Sequence, residues 1–130
     1  MKTSTVLIAV AGVVLSNLQG ATAGCYTSGD AWGPSFQDAR DAAFDHCYGG
    51  VFKNFFGPGE TKSACRNSGA WGYKANFEVQ NLNTKNGFYL DKNDCFHGLL
   101  NEIEGCSRGG DTSNSASLWR FRSDPNLGRC

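Results

Sequence analysis

Six cysteines stand at positions 25, 47, 65, 95, 106 and 130, and the first 23 residues of the 130-residue chain contain none. That first stretch carries Lys2 as its only charge, an apolar run from Val6 to Leu15, and Ala21-Thr22-Ala23 in front of Gly24. A basic start, an apolar middle and an A-x-A site form a secretory signal, which is removed. The run is far shorter than the roughly 20 residues that span a bilayer. The expectation is a signal peptide over 1–23 and one secreted, extracellular domain over 24–130, with no membrane insertion. An even cysteine set in an oxidising compartment predicts three disulfides. Which of the 15 possible pairings forms is open.

Cysteine spacing also bears on metals. A zinc site needs C-x-x-C or paired Cys/His spacing, and no two cysteines here are closer than eleven positions. No metal and no cofactor are expected. Twelve basic residues balance twelve acidic ones, whereas domains held by phosphate contacts concentrate positive charge on one face. Nucleic acid is therefore not an expected partner.

Patterning along the mature chain predicts an α+β domain. Ser35, with Asp38 three residues on, reads as a capping box for a first helix, with Phe36, Ala39, Ala43 and Cys47 on one stripe and Gly49-Gly50 as its end. Residues 51–56 and 61–67 flank Gly57-Pro58-Gly59-Glu60 and read as a hairpin. Over 71–80, large apolar residues alternate with polar or small ones, the pattern of a half-buried antiparallel strand. A polar loop over 81–87 leads to a short strand at 88–90. Asp91 caps a second helix with Cys95, Leu99, Ile103 and Cys106 along its apolar stripe. Residues 107–117 read as a polar loop, 118–122 as a last strand and 124–128 as a turn. Hairpin-length connections make the neighbours antiparallel, so the expected fold is an antiparallel sheet of four or five strands with two helices.

Catalytic chemistry finds few carriers. His46 and His97 could act as general acid and base in a ribonuclease, with Arg120 or Arg122 stabilising developing charge; a killer-toxin-like cytotoxic protein would use the same pair. No G-x-S-x-G nucleophile turn is present. Glu102 and Glu104 lie two apart on a helix, cannot face one glycosidase site, and read as a solvated face. The remaining signal is loops rich in Asn, Asp, Ser and Gly near Trp and Tyr. Aromatic rings offer apolar faces with polar edges, and amides give paired donors and acceptors, the groups that hold a sugar. This reading makes the chain a glycan binder with no catalytic residues, its site in two loops at Asn81, Asn83, Asn86, Arg108, Asp111 and Asn114.

The strand at 72–79, the cysteine helix at 94–106 and the closing Asp124-Pro125-Asn126-Leu127-Gly128-Arg129-Cys130 resemble small cysteine-rich secreted proteins of fungi. Within that group the chain is similar, in length and cysteine layout, to glycan-binding lectins secreted by mushrooms. The resemblance implies an α/β/α-type sandwich and a homodimer joined through the sheet edge. It also implies recognition of glycoprotein or glycolipid glycans bearing N-acetylhexosamine and fucose, in defence against other organisms. Killer toxins and plant-infection effectors share such scaffolds, so the fold alone leaves function open.

Overall fold

The computed structural model describes residues 24–70 and 72–130. The signal-peptide reading of 1–23, and Trp71 at the head of the expected strand, lie outside the described residues. The elements are α1 (Phe36–Tyr48), β1 (Thr61–Asn67), β2 (Tyr73–Asn81), α2 (Lys92–Glu104), β3 (Gly110–Asn114) and β4 (Trp119–Leu127). The four strands form one antiparallel sheet in the order β1-β2-β4-β3. Among the described residues, no helix is long and apolar enough to cross a membrane.

The alternation in β2 sets the layers. Ala75, Phe77 and Val79 are buried on one face, and both helices pack there: Ala39, Ala42, Ala43 and Cys47 from α1, and Cys95, Leu99 and Ile103 from α2, join them in one core. Gly98 lets α2 press onto β4, because a Cβ there would stand 2.6 Å from the Phe121 ring. Ser123 Oγ donates to the Leu99 carbonyl at 2.9 Å, tying the same two elements. Both helices thus lie on one side of the sheet, and the third layer of an α/β/α sandwich is not formed by the described residues of a single chain.

Three bridges resolve the open pairing: Cys25–Cys106, Cys47–Cys95 and Cys65–Cys130. They tie the first residues to the end of α2, α1 to α2 through the core, and β1 to the last residue. The Asp91 cap is formed, its carboxylate accepting from the backbone N–H of Asn93 and Asp94. Ser35 makes no such cap. Its hydroxyl donates to the Trp32 carbonyl at 2.6 Å, and Asp38 accepts instead from Ser68 Oγ and the Gly69 N–H, contacts that hold its carboxyl below the ordinary value.

Four local expectations are corrected. Residues 51–56 are not a strand: Val51–Lys53 is a 3-10 turn that drives Phe52 and Phe56 fully into the core, and β1 pairs with β2 instead. The expected strand at 88–90 reduces to a single bridge, Phe56 to Phe88. The polar loop at 107–117 contains the edge strand β3, which has no apolar alternation: Asp111 is bound to Arg120 and Ser113 and Asn114 are exposed. Finally, β4 runs through Pro125, which was read as a turn. β3 ends opposite Ser123, so β4 is an open edge beyond it, where proline is tolerated.

Replacing Cys47 and Cys95 together by alanine is expected to cost about 2 to 5 kcal/mol, and Phe77→Ala about 3 to 5 kcal/mol, both read from guanidinium midpoints. An unchanged midpoint in the double variant contradicts the placement of that bridge at the core.

Candidate functional site

Two surface regions concentrate polar side chains, and they differ in whether those groups are already paired. The first is the sheet face opposite the helices, where a groove of about 530 Å³ is lined by Ser63, Asn76, Glu78, Arg122, Asp124 and Asn126. Arg120 donates to both Asp111 oxygens at 2.8 and 2.7 Å and to Glu78 at 3.1 Å. Arg122 donates to Tyr26 Oη, Glu78 and Asp124, at 2.8, 3.0 and 2.8 Å. Asn126 donates to Asn76. This face satisfies itself, which leaves little for a ligand to gain there beyond what it would disrupt.

The second region is a cleft of about 220 Å³ at one end of the sheet, lined by Asn81, Asn83, Phe88, Tyr89, Ser117, Leu118 and Trp119. It forms where two distant loops meet: the Leu82 N–H donates to the Leu118 carbonyl at 2.9 Å. Trp119 sits edge-on against buried Phe56, ring centroids 5.1 Å apart, so its ring is held by the core. Tyr89 is 71% exposed and packs against Phe55 at 5.3 Å. Gly87 is glycine because a Cβ there would run into the Phe55 ring.

Local hydrogen bonding explains how polar residues shape this cleft. Asn81 is 1% exposed; its Nδ2 donates to the carbonyls of Gly57 and Asn86 at 3.1 and 3.0 Å, and its Oδ1 accepts from the Asn83 N–H. Asn83 Oδ1 accepts from the N–H groups of Lys85 and Asn86, both at 2.9 Å. Its amide nitrogen, Ser117 Oγ, Trp119 Nε1 and Tyr89 Oη make no hydrogen bond among the described residues. Those four groups rim an aromatic floor.

Leu118 is the one non-glycine residue with positive φ among the described residues, at 61°. It closes the β3–β4 turn, its N–H donating to the Asn114 carbonyl at 2.8 Å, a position that glycine or asparagine fills at no steric cost. Strained residues of this kind cluster where a side chain is needed in place, and here the leucine lines the cleft.

The six residues expected to bind are dispersed. Asn81 and Asn83 reach the cleft, the first as a buried clamp and the second at its rim. Asn86 is exposed in the same loop. Asn114 opens the β3–β4 turn opposite Trp119, and its Oδ1 is taken up by the N–H groups of Ala116 and Ser117. Asp111 faces the other region, bound to Arg120, and Arg108 donates to the Gly29 carbonyl. The sequence pattern does not single out Tyr89, Phe88 or Leu118 as cleft residues, and Trp119 falls in the expected last strand. Aromatic density at 88–89 and 119 was visible, but the chain contact joining them was not.

The two histidines are also apart in environment. His46 packs against Phe52 and Phe77, and burial pushes its pKa below the ordinary value. His97 is exposed on α2 beside Phe96. Neither lines the groove or the cleft. Arg120 and Arg122 are already matched by carboxylates. Among the described residues, no cluster of three or more His, Cys, Asp or Glu side chains could hold a metal ion. A scan against protein-family models finds no match to the chain, and a search of curated proteins finds none either.

Asn81→Ala is expected to cost on the order of 1 to 3 kcal/mol by leaving buried backbone groups unpaired, whereas Asn86→Ala should stay within about 0.5 kcal/mol. Thermal unfolding of the two variants side by side checks this; equal stability would remove Asn81 as the clamp of the cleft.

Proposed function

We propose that the chain is a secreted glycan-binding protein, a lectin without catalytic role, and that the cleft between the 81–89 loop and the β3–β4 turn is its sugar site. The observation that carries the reading is the combination found there: Trp119 and Tyr89 rings beside the unpaired polar groups of Asn83, Ser117, Trp119 and Tyr89. A pyranose presents C–H faces that stack on aromatic rings and hydroxyls that need donors and acceptors. The cleft is below the roughly 300 Å³ at which drug-sized sites begin, so it suits one sugar ring. Leu118 and Phe88 supply apolar surface for a methyl group, which favours N-acetylhexosamine or fucose as that ring.

Secretion is supported by three disulfides in a chain whose first residues read as a signal peptide. One shallow site binds weakly, and joining two copies raises avidity without new contacts. Among the described residues β1 has no strand partner on its outer side, so it is the edge through which we propose the homodimer to form. We propose that such a dimer acts in defence, by binding glycans on other organisms' cells.

A glycan array with the oxidised protein tests the assignment. Binding to N-acetylhexosamine- or fucose-bearing glycans is expected, with Tyr89→Ala weakening it about tenfold or more, equivalent to 1.4 kcal/mol. Leu118→Gly should keep stability within about 1 kcal/mol while also weakening binding. No binding by folded protein ends the lectin reading; binding indifferent to both substitutions moves the site elsewhere.

A further inference from the structure

Glu102 is read from sequence as a solvated helix residue, yet it is 2% exposed. Among the described residues it forms no salt bridge. Its carboxylate lies under the start of the domain: a Cβ on Gly110 would collide with Glu102 Oε1 and also stand 2.7 Å from the Gly24 carbonyl oxygen and 3.2 Å from Cys106 Sγ. Gly24 itself is pinned over this spot. Its carbonyl accepts from the Asp111 N–H at 2.9 Å, and Cys25 bridges to Gly110 and is bonded to Cys106.

A second buried group points to the same place. Thr112 Oγ1 is shielded from solvent and lies against the Glu102 carboxylate, the one group it can bond, and a Cβ on Gly24 would overlap it. Only glycine therefore fits at position 24, with its backbone against this hydroxyl and close to a buried carboxyl that has no cationic partner among the described residues. Burial of such groups is costly unless a partner is supplied. One cationic partner can arise here without any other molecule: the α-amino group that signal removal creates on Gly24.

We propose that cleavage of the Ala23–Gly24 bond completes this site, the new Gly24 ammonium pairing with Glu102 and donating to Thr112 Oγ1, so that maturation itself locks the first residues to α2 and β3. The inference rests on the secretory reading of residues 1–23 and is independent of glycan binding. In the step, a signal peptidase adds water across the amide: the C–N bond breaks, Ala23 leaves as a carboxylate and Gly24 nitrogen becomes an ammonium, with no oxidant or reductant required.

The lock has a pH signature. While Gly24 nitrogen is still an amide, desolvation by burial raises the Glu102 pKa from 4.5 to about 7. An acid whose folded pKa is raised is stabilising when protonated, so that form loses stability as pH rises from 4.5 through about 7. Pairing with an ammonium lowers the carboxyl pKa and removes the loss. Of the charged groups on the surrounding elements, Asp111 on β3, although bound to Arg120 of β4, adds a like charge that raises the Glu102 pKa further, and Arg40 of α1 is bound to Glu104.

Two oxidised proteins decide the matter, one beginning at Gly24 and one retaining residues 21–23 in front of it, each also as Glu102→Gln. Melting temperature is followed between about pH 5 and pH 8, where an ordinary α-amino group is still largely charged. The extended chain is expected to lose melting temperature across this range, the Gly24 chain to hold it, and Glu102→Gln to erase the difference. Nuclear magnetic resonance titration of the Gly24 amine should give a pKa above the usual roughly 7.7 to 8.0, and this readout decides alone if the glutamine variants fail to fold. Coincident pH profiles, or an ordinary amine pKa, overturn the lock. Mass analysis of the secreted protein showing a first residue other than Gly24 overturns it equally, while leaving the glycan array free to succeed.

Discussion

The Cys47–Cys95 bridge is the contact on which the helical layer depends. α1 buries only Ala39, Ala42, Ala43 and Cys47 against the rest of the molecule, a face too small to hold a helix by area alone, since each alanine removes little apolar surface from water. α2 contributes Leu99 and Ile103, both essentially fully buried. The bridge fixes the two helices at close range, and the alanines allow that approach. Large side chains then come from elsewhere: Phe52 and Phe56 enter from the segment after α1, and Phe77 from the sheet. Without the bridge, a single modest core of this kind has little reserve.

Legibility in the sequence followed the strength of the local signal. Strand β2 and helix α2 were readable because each has a regular apolar period, and α2 a capping aspartate. β3 was not, because an edge strand paired on one side needs no apolar alternation; Gly110-Asp111-Thr112-Ser113-Asn114 reads as a loop until Arg120 is seen opposite. Phe52 and Phe56 misled in the other sense, since aromatic residues in a short run suggest a strand while their spacing of four serves a turn that buries both. Glu102 was unreadable as a buried group, because nothing in its neighbourhood along the chain announces the glycine-lined space beneath the domain's first residues.

The candidate site shows the same division. Asparagine-rich loops and aromatic residues were visible along the chain, but placing Asn83 beside Trp119 requires the pairing of β2 with β4, which sets Asn81 opposite Trp119. Turn chemistry and ligand chemistry use the same residue types, and the structure separates them atom by atom. Asn81 has all its bonds engaged by the backbone, while Asn83 keeps an amide nitrogen free. The arginine face carries more charge than the cleft yet is closed upon itself, so charge density does not mark the surface that keeps free polar groups.

The order of the bridges along the chain has a consequence for resistance to proteolysis. Cys25–Cys106 encloses Cys47–Cys95, and Cys65–Cys130 crosses both. A single cut at any peptide bond between residues 25 and 130 therefore leaves two fragments that are still covalently joined. The asparagine loop that forms one wall of the cleft lies inside all three closed circuits, whereas the β3–β4 turn on the opposite wall lies inside only one. A nick at that turn would release no fragment, but it would free the strained leucine and open the cleft before the fold itself is lost.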